Sequence, residues 1–281
     1  MWIRILGSAA GGGLPQWNCR CSNCAAVRAG SEDIQPRTQS SIAVSADGEA
    51  WFLLNVSADV RLQILSFPKL GPPAGKKRGT RIAGCVLTDA EIDHTSGLLQ
   101  LREGCTFPVF STPIVHRWLT RYFPIETVLA RFADRPWTEL PLDRSLELPR
   151  ANGLKVRVFE TGRDVPRFVP DDPAEALGSR VGLQIEDTKT GGVLVYAPGV
   201  SSIDDALTRA CEPAGCVLID GTFWTDDEPI ELGINNRTAR QMGHLPIRGS
   251  AGSLPWLESL NVPHRVYVHI NNTNPILNDR G

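Results

Sequence analysis

Two short stretches of this 281-residue chain concentrate its capacity for metal chemistry. The first is Thr88-Asp89-Ala90-Glu91-Ile92-Asp93-His94-Thr95-Ser96-Gly97, which sets carboxylates at 89, 91 and 93 beside an imidazole at 94. Oxygen and nitrogen donors in this mixture suit a divalent first-row ion. Asp93 and His94 are neighbours, and a regular strand would point them to opposite faces. An irregular loop lets both turn towards one ion. The second stretch is Asn18-Cys19-Arg20-Cys21-Ser22-Asn23-Cys24, a C-x-C-x-x-C loop. Thiolates are soft ligands, and Cys19, Cys21 and Cys24 can wrap one tetrahedral zinc. Such a sulfur site leaves no open position for substrate, so this zinc is expected to be structural. The alternative is three unrelated cysteines.

These stretches need elements to hold them. Residues 82–87 form a short apolar run that reads as a buried strand, and 98–102 read as a helix, so the acidic stretch is a strand-to-helix loop. Residues 2–6 alternate and read as a strand. The run Gly7-Ser8-Ala9-Ala10-Gly11-Gly12-Gly13 follows. No Gly-Lys-Ser/Thr follows it, which excludes a P-loop, and no helical pattern supports a dinucleotide loop. A tight loop bordering a pocket remains. Residues 38–44 and 51–55 read as a hairpin with Asp47-Gly48 at the turn. A helix is expected over 57–65 with Ser57 as N-cap, and another begins at Pro113. His116 on that helix reads as a surface or core residue. Strands are expected at 154–159, 181–185, 192–196, 216–220 and 265–268, with a helix over 250–260. No repeat or linker divides the chain.

Composition narrows the classes. The formal net charge is −2, which gives no nucleic-acid footprint. No run approaches the ~20 apolar residues of a membrane span, and the N-terminal residues lack a secretory pattern. A cytoplasmic protein is expected, with a homodimer left open. Seven cysteines, an odd number, argue against a disulfide framework.

The first stretch resembles the T-H-x-H-x-D-H-x-x-G signature of the metallo-β-lactamase superfamily. Thr88, Asp93, His94 and Gly97 match, while Asp89 and Glu91 stand where the first two histidines belong. The resemblance covers residues 3–275. It implies an α/β (α+β) fold, the αββα sandwich of two mixed sheets flanked by helices, as one domain over 1–281 with a zinc loop at 18–24. It also implies that Asp93 and His94 share one ion with His269, from the terminal motif His269-Ile270-Asn271-Asn272-Thr273-Asn274-Pro275. The ligands of the other ion are missing. No histidine lies between His116 and His244, and Ala197-Pro198-Gly199-Val200 lacks the bridging aspartate. Gly243-His244 resembles a motif placed over the pocket, making His244 a candidate acid, base or substrate ligand. Asp220, at a strand end, is a candidate group supporting the metal ligands or contacting substrate, or else an N-cap or turn aspartate. The cysteine loop resembles the phosphodiesterase-like branch, whose fourth zinc ligand is a histidine. Here that position is Asn272, so Cys211, Cys216 and His264 are alternatives.

The opening residues 7–19, the altered signature and the terminal motif together resemble a branch of the superfamily that serves pyrroloquinoline quinone biosynthesis. Chains of that branch usually run on beyond this point. The resemblance implies a small-molecule substrate derived from a crosslinked Glu-Tyr peptide unit. Two histidines and one carboxylate with open positions suit mononuclear non-haem Fe(II), which binds O₂ and substrate together. Hydroxylation of the tyrosine ring is the activity implied. Asp89 and Glu91 would face the substrate as hydrogen-bond acceptors or bases. Two alternatives remain: a metal-dependent hydrolase, weakened by the missing ligands, and a non-catalytic carrier of the quinone.

Overall fold

In this computed structural model, which describes residues 1–170 and 176–278, the chain opens with β1 (Trp2–Gly7), α1 (Ser22–Arg28), β2 (Ser41–Ser45) and β3 (Trp51–Leu54). Then come α2 (Val60–Ser66), β4 (Ile82–Val86), α3 (Ile92–Thr95), β5 (Val109–Ser111), α4 (Pro113–Arg121), α5 (Ile125–Leu129) and β6 (Trp137–Glu139). The second half holds β7 (Ser145–Glu147), β8 (Leu154–Gly162), β9 (Arg180–Asp187), β10 (Gly192–Ala197), α6 (Asp205–Cys211), β11 (Cys216–Asp220), α7 (Glu228–Glu231), α8 (Ser253–Ser259) and β12 (His264–Val268). Two six-stranded sheets result, ordered β1-β2-β3-β4-β5-β6 and β12-β11-β10-β9-β8-β7.

Strand alternation builds the layers. Ile42, Val44, Phe52, Leu54, Val86 and Phe110 of the first sheet meet Val156, Val158, Leu183, Ile185, Leu194 and Leu218 of the second. The intervening residues Ala43, Leu53, Cys85 and Val109 turn outward, against Val60, Val115, Trp118 and Leu119 of the helices. In the second sheet Val195, Val217 and Ile219 face Leu207, Ala210 and Leu257 of α6 and α8. The central strands of both sheets are therefore buried on two faces, which explains their near-continuous apolar runs. Each such side chain contributes ~1.5–3 kcal/mol of burial. This is the expected αββα sandwich. No helix among the described residues is long and apolar enough to cross a membrane.

Each sheet is mixed in a way that gathers loops. β3, β4, β5 and β6 run parallel, as do β10, β11 and β12. Parallel neighbours deliver their chain ends to one edge. The segments leaving β4, β11 and β12 all line a common cavity.

Three local expectations differ from the structure. Asp93 and His94 sit on a one-turn helix, not an irregular loop. The Asp89 carboxylate accepts the Glu91 N–H at 2.9 Å, a turn that launches the helix. Successive helical residues diverge by ~100°, so an ion between the two is still reachable. The helix expected over 98–102 is a 3₁₀ turn, Ser96–Leu99. The helix expected from Ser57 begins at Val60 with Asp59 at the N-cap, whose carboxylate is taken by the Gln39 N–H and Nε2 and caps no helical N–H.

Gly97 explains its place in the signature. A Cβ there would lie 2.0 Å from the Ser57 carbonyl oxygen. That contact is backbone, so it cannot yield by rotamer change. Gly97→Ala should lower stability by about 1–3 kcal/mol, read as a drop in the urea midpoint; an unchanged midpoint would show that the two segments separate easily.

Candidate metal centre

The cavity at the convergent edge has a volume of about 380 Å³ and is lined by Asp89, Glu91, Asp93, His94, Thr222, His244 and His269, among others. Asp93, His94 and His269 offer one ligand atom each within 4.8 Å of one another. His269 Nε2 is 3.3 Å from Asp93 Oδ2, and His94 Nε2 is 3.9 Å from it. His94 Nε2 is buried without a hydrogen-bond partner among the described residues. An orphaned imidazole nitrogen, aimed at a carboxylate and a second imidazole, is what an ion would satisfy. The three residues fit a divalent cation.

The supporting groups set which ring nitrogen faces inward. His94 Nδ1 donates to the Asp89 carboxylate, 2.8 Å from both oxygens. That leaves Nε2 as the free donor atom. The other contacts of Asp89 come from the Thr88 hydroxyl at 2.7 Å and the Glu91 N–H. Asp89 was expected to face substrate. Instead it is 3% exposed and its oxygens are engaged by the protein, so it positions His94. Burial would push Asp89 up, but the charge and hydrogen bond of His94 outweigh it and hold the carboxyl low. Burial would push His94 down, yet the carboxylates of Asp89 and Asp93 raise it to about 9. Asp93 is held well below the usual carboxylate range because His94 and His269 outweigh its burial. Glu91 goes the other way, raised to about 7 by burial and by the neighbouring Asp89 and Asp93.

His269 is held from the other sheet. It leaves β12 at φ +56°, a left-handed conformation unusual for histidine. The backbone around it is pinned: Ile270 N–H donates to the Ser8 carbonyl and Ala10 N–H to the Ile270 carbonyl. The glycine-rich loop thus clasps the histidine turn, and a Cβ at Gly11 would come 3.2 Å from Asp93 Oδ2. His269 Nδ1 lies 2.8 Å from the Thr222 hydroxyl, which lies 2.6 Å from Asp220 Oδ1. In the arrangement that satisfies this chain, Nδ1–H donates to Thr222 and Thr222 donates to Asp220. Nε2 is again the free nitrogen. Asp220 Oδ2 accepts from His244 Nδ1 at 2.7 Å. Burial would raise Asp220, but His244 and His269 hold it at about 2.

Asp220, His244 and His269 also lie within 4.8 Å of one another. The Thr222 hydroxyl sits among them, 3.1 Å from His244 Nδ1, so a proton relay occupies that space. His244 stacks on His269 with ring centroids 5.5 Å apart. Gly243 precedes it at φ +80°, and a Cβ there would lie 2.3 Å from Asp164 Oδ1. The Gly-His order follows from that crowding. Pro198 and Gly199 line the cavity where relatives place a bridging aspartate. His116 is remote, bonded to Glu126 at 2.9 Å and stacked on Trp137.

Cys19, Cys21 and Cys24 converge as a second cluster. Asn272 caps it, its Nδ2 lying 3.0, 3.4 and 3.3 Å from the three sulfurs. A half-turn of the amide offers Oδ1 in the same place, a fourth donor that completes a zinc site. The alternatives are ruled out by position. Cys211 is the buried last residue of α6, while Cys216 and His264 pair across the starts of β11 and β12, the ends opposite Asp220 and His269.

Sequence reading passed over Thr222, Asp164 and Arg180. Arg180 Nη1 bonds Asp164 at 2.7 Å and the Gly243 carbonyl at 2.6 Å. Thr222 carried one readable signal, an Asp-Gly-Thr run at a strand end.

The sandwich and the Asp93-His94-His269 cluster at its edge define a metallo-β-lactamase-fold protein. The family model described as "Beta-lactamase superfamily domain" matches residues 50–270. Curated coenzyme PQQ synthesis protein B of Pseudomonas syringae pv. syringae is 45% identical over 280 residues, covering 99% of this chain and 92% of that protein. Its counterpart in Ectopseudomonas mendocina is 46% identical, covering 99% and 91%. The crystal structure of Zn²⁺-bound PqqB from Methylobacterium extorquens superposes with a TM-score of 0.91 at 38% identity, covering 100% of this chain and 93% of that one. The chain belongs to the PqqB family within the beta-lactamase superfamily.

The relay makes a separable claim about metal affinity. Thr222→Val removes the acceptor for His269 Nδ1 and should weaken the Asp93-His94-His269 cluster's hold on Zn(II) by about 10–100-fold, measured by chelator competition. Thr222→Ser should restore it, with zinc at the cysteines unchanged in both; equal affinity in the valine variant would remove Thr222 from the design.

Proposed function

We propose that this chain is a single-metal oxygenase of pyrroloquinoline quinone biosynthesis, hydroxylating the tyrosine ring of a small molecule derived from a crosslinked Glu-Tyr unit in the cytoplasm. The observation that carries the reading is the Asp93-His94-His269 set, with carboxylates and no histidines at the positions of the usual partner site, while the neighbouring Asp220-His244-His269 set is bonded through the Thr222 hydroxyl. With Asp89 and Glu91 in place of the first two signature histidines, the site lacks the ligand set of a two-metal clamp for hydrolysis. Two imidazoles and a carboxylate with open positions favour non-haem Fe(II). Held by Asp93, His94 and His269, the ion would supply O₂ activation. Zinc at the three cysteines and Asn272 would fasten the loop that carries His269.

The residues have separable tasks. Asp89 and Thr222 hold the two histidines with Nε2 inward. His244, anchored by Asp220, borders the cavity and can accept the phenol proton. Glu91 lines the cavity and is raised to about 7, a value suited to proton exchange near neutrality. Ring hydroxylation consumes O₂ and two electrons, so an external reductant is required.

The test is anaerobic loading with Fe(II), then addition of the crosslinked Glu-Tyr diamino acid, ascorbate and O₂, with mass spectrometry of the product. A gain of oxygen, lost in Asp93→Ala, is expected. Tight binding of the finished quinone without any gain, under any metal, would favour a carrier. In parallel, His269→Ala should empty the Asp-His-His cluster while leaving zinc at the cysteines; simultaneous loss of both ions would contradict two independent sites.

A further inference from the structure

The charged groups of the cavity are nearly all spoken for. Asp89 is bound to His94, Asp93 to His269, Asp164 to Arg180, and Asp220 to His244 and Thr222. Two groups differ. Glu91 and Arg167 both line the main cavity, and both line an adjoining cleft of about 520 Å³. Among the described residues, the Glu91 carboxyl accepts no hydrogen bond and the Arg167 guanidinium makes none. They are not within ion-pair distance of each other. Two opposite charges that flank one space without pairing present an acceptor and a donor to whatever enters it.

The donor side is reinforced. Arg237 lines the main cavity and gives one N–H to the Gln241 carbonyl, with no carboxylate partner among the described residues. Asn235, also in the lining, spends an amide N–H on the Met242 thioether at 3.2 Å, a weak acceptor. Carboxylate recognition by arginine is charge-assisted and directional. A phosphate would find the same arginines but would leave the Glu91 carboxylate facing a like charge.

We propose that Glu91 and Arg167 form a receptor for a zwitterionic α-amino-acid group, with the ammonium on Glu91, the carboxylate on Arg167, and Arg237 as a further donor. The receptor would orient the aromatic ring towards the Asp93-His94-His269 cluster. It rests on the oxygenase reading only for the identity of the ring as a tyrosine side chain.

Three ligands separate the two charges: L-tyrosine, tyramine without the carboxylate, and 3-(4-hydroxyphenyl)propanoate without the amine. Their affinities are measured by calorimetry on zinc-loaded protein of matched metal content. Wild type should hold L-tyrosine at least about tenfold tighter than either fragment, the scale of one charged hydrogen bond. Arg167→Ala should lose about tenfold for L-tyrosine and the propanoate and leave tyramine unchanged. Glu91→Gln should weaken L-tyrosine and tyramine and leave the propanoate unchanged. Equal losses across the three ligands, no losses, or wild-type indifference between L-tyrosine and its fragments would overturn the receptor. Displacement of L-tyrosine by inorganic phosphate, sensitive to Arg167→Ala but not Glu91→Gln, would also overturn it in favour of an anion site. Turnover of the diamino acid with a flat ligand pattern sinks the receptor and spares the oxygenase; the crossed pattern without turnover does the reverse.

Discussion

The centre depends on hydrogen bonds that decide which nitrogen of each histidine faces the cavity. A free imidazole offers either nitrogen, and only one orientation makes it a ligand here. The buried carboxylate of Asp89 takes Nδ1 of His94 from below, at 2.8 Å. On the other side a hydroxyl stands between His269 and Asp220. Each ring is thereby committed to Nε2 before any ion arrives. Ionised carboxylates this deeply buried are costly unless paired, and the histidines pair them. Ligand and support thus stabilise one another, and removing either leaves a buried group unsatisfied.

The sheets supply the convergence. β4 and β12 belong to different sheets, yet both deliver their last residues to one edge because each lies in a parallel ladder. The apolar layer between the sheets fixes their separation. Close contacts then hold the loops: Gly97 against the Ser57 carbonyl, Gly11 against Asp93, and the glycine-rich loop against the His269 turn. The left-handed backbone of His269 is held by these bonds, a strain that surrounding structure must over-determine.

The cysteine cluster and the Asp93-His94-His269 cluster are joined through one short stretch of chain, Asn272 lying three positions after His269. Asn272 reaches the sulfurs while His269 reaches Asp93. Asn23 Nδ2 also bonds the Asn272 carbonyl at 3.0 Å. The loop is therefore clamped at both ends. Charge is divided as sharply as geometry. Acids crowd the β4 side, and the arginines of the cavity come from the segments around 167, 180 and 237.

The individual strands were legible in the chain because apolar runs with turn signals between them mark buried strands, whereas the sandwich they build was implied by the resemblance of residues 88–97 to the superfamily signature. The Asp93-His94 pair and the cysteine triplet were legible because ligand types at such spacings are rare in ordinary loops, and the distant His269 was implied by the resemblance of the terminal motif. What the chain alone could not decide is what each polar group spends its bonds on. Asp89 reads as a pocket carboxylate until His94 and Thr88 are seen to fill it. Asn272 reads as a lost ligand until it is found over three sulfurs. Thr222 reads as a turn residue until it stands between His269 and Asp220, and Glu91 with Arg167 become a pair only across the cavity. Strand and ligand patterns are local, whereas the pairing of buried charges depends on distances between segments far apart in sequence, which only tertiary packing determines.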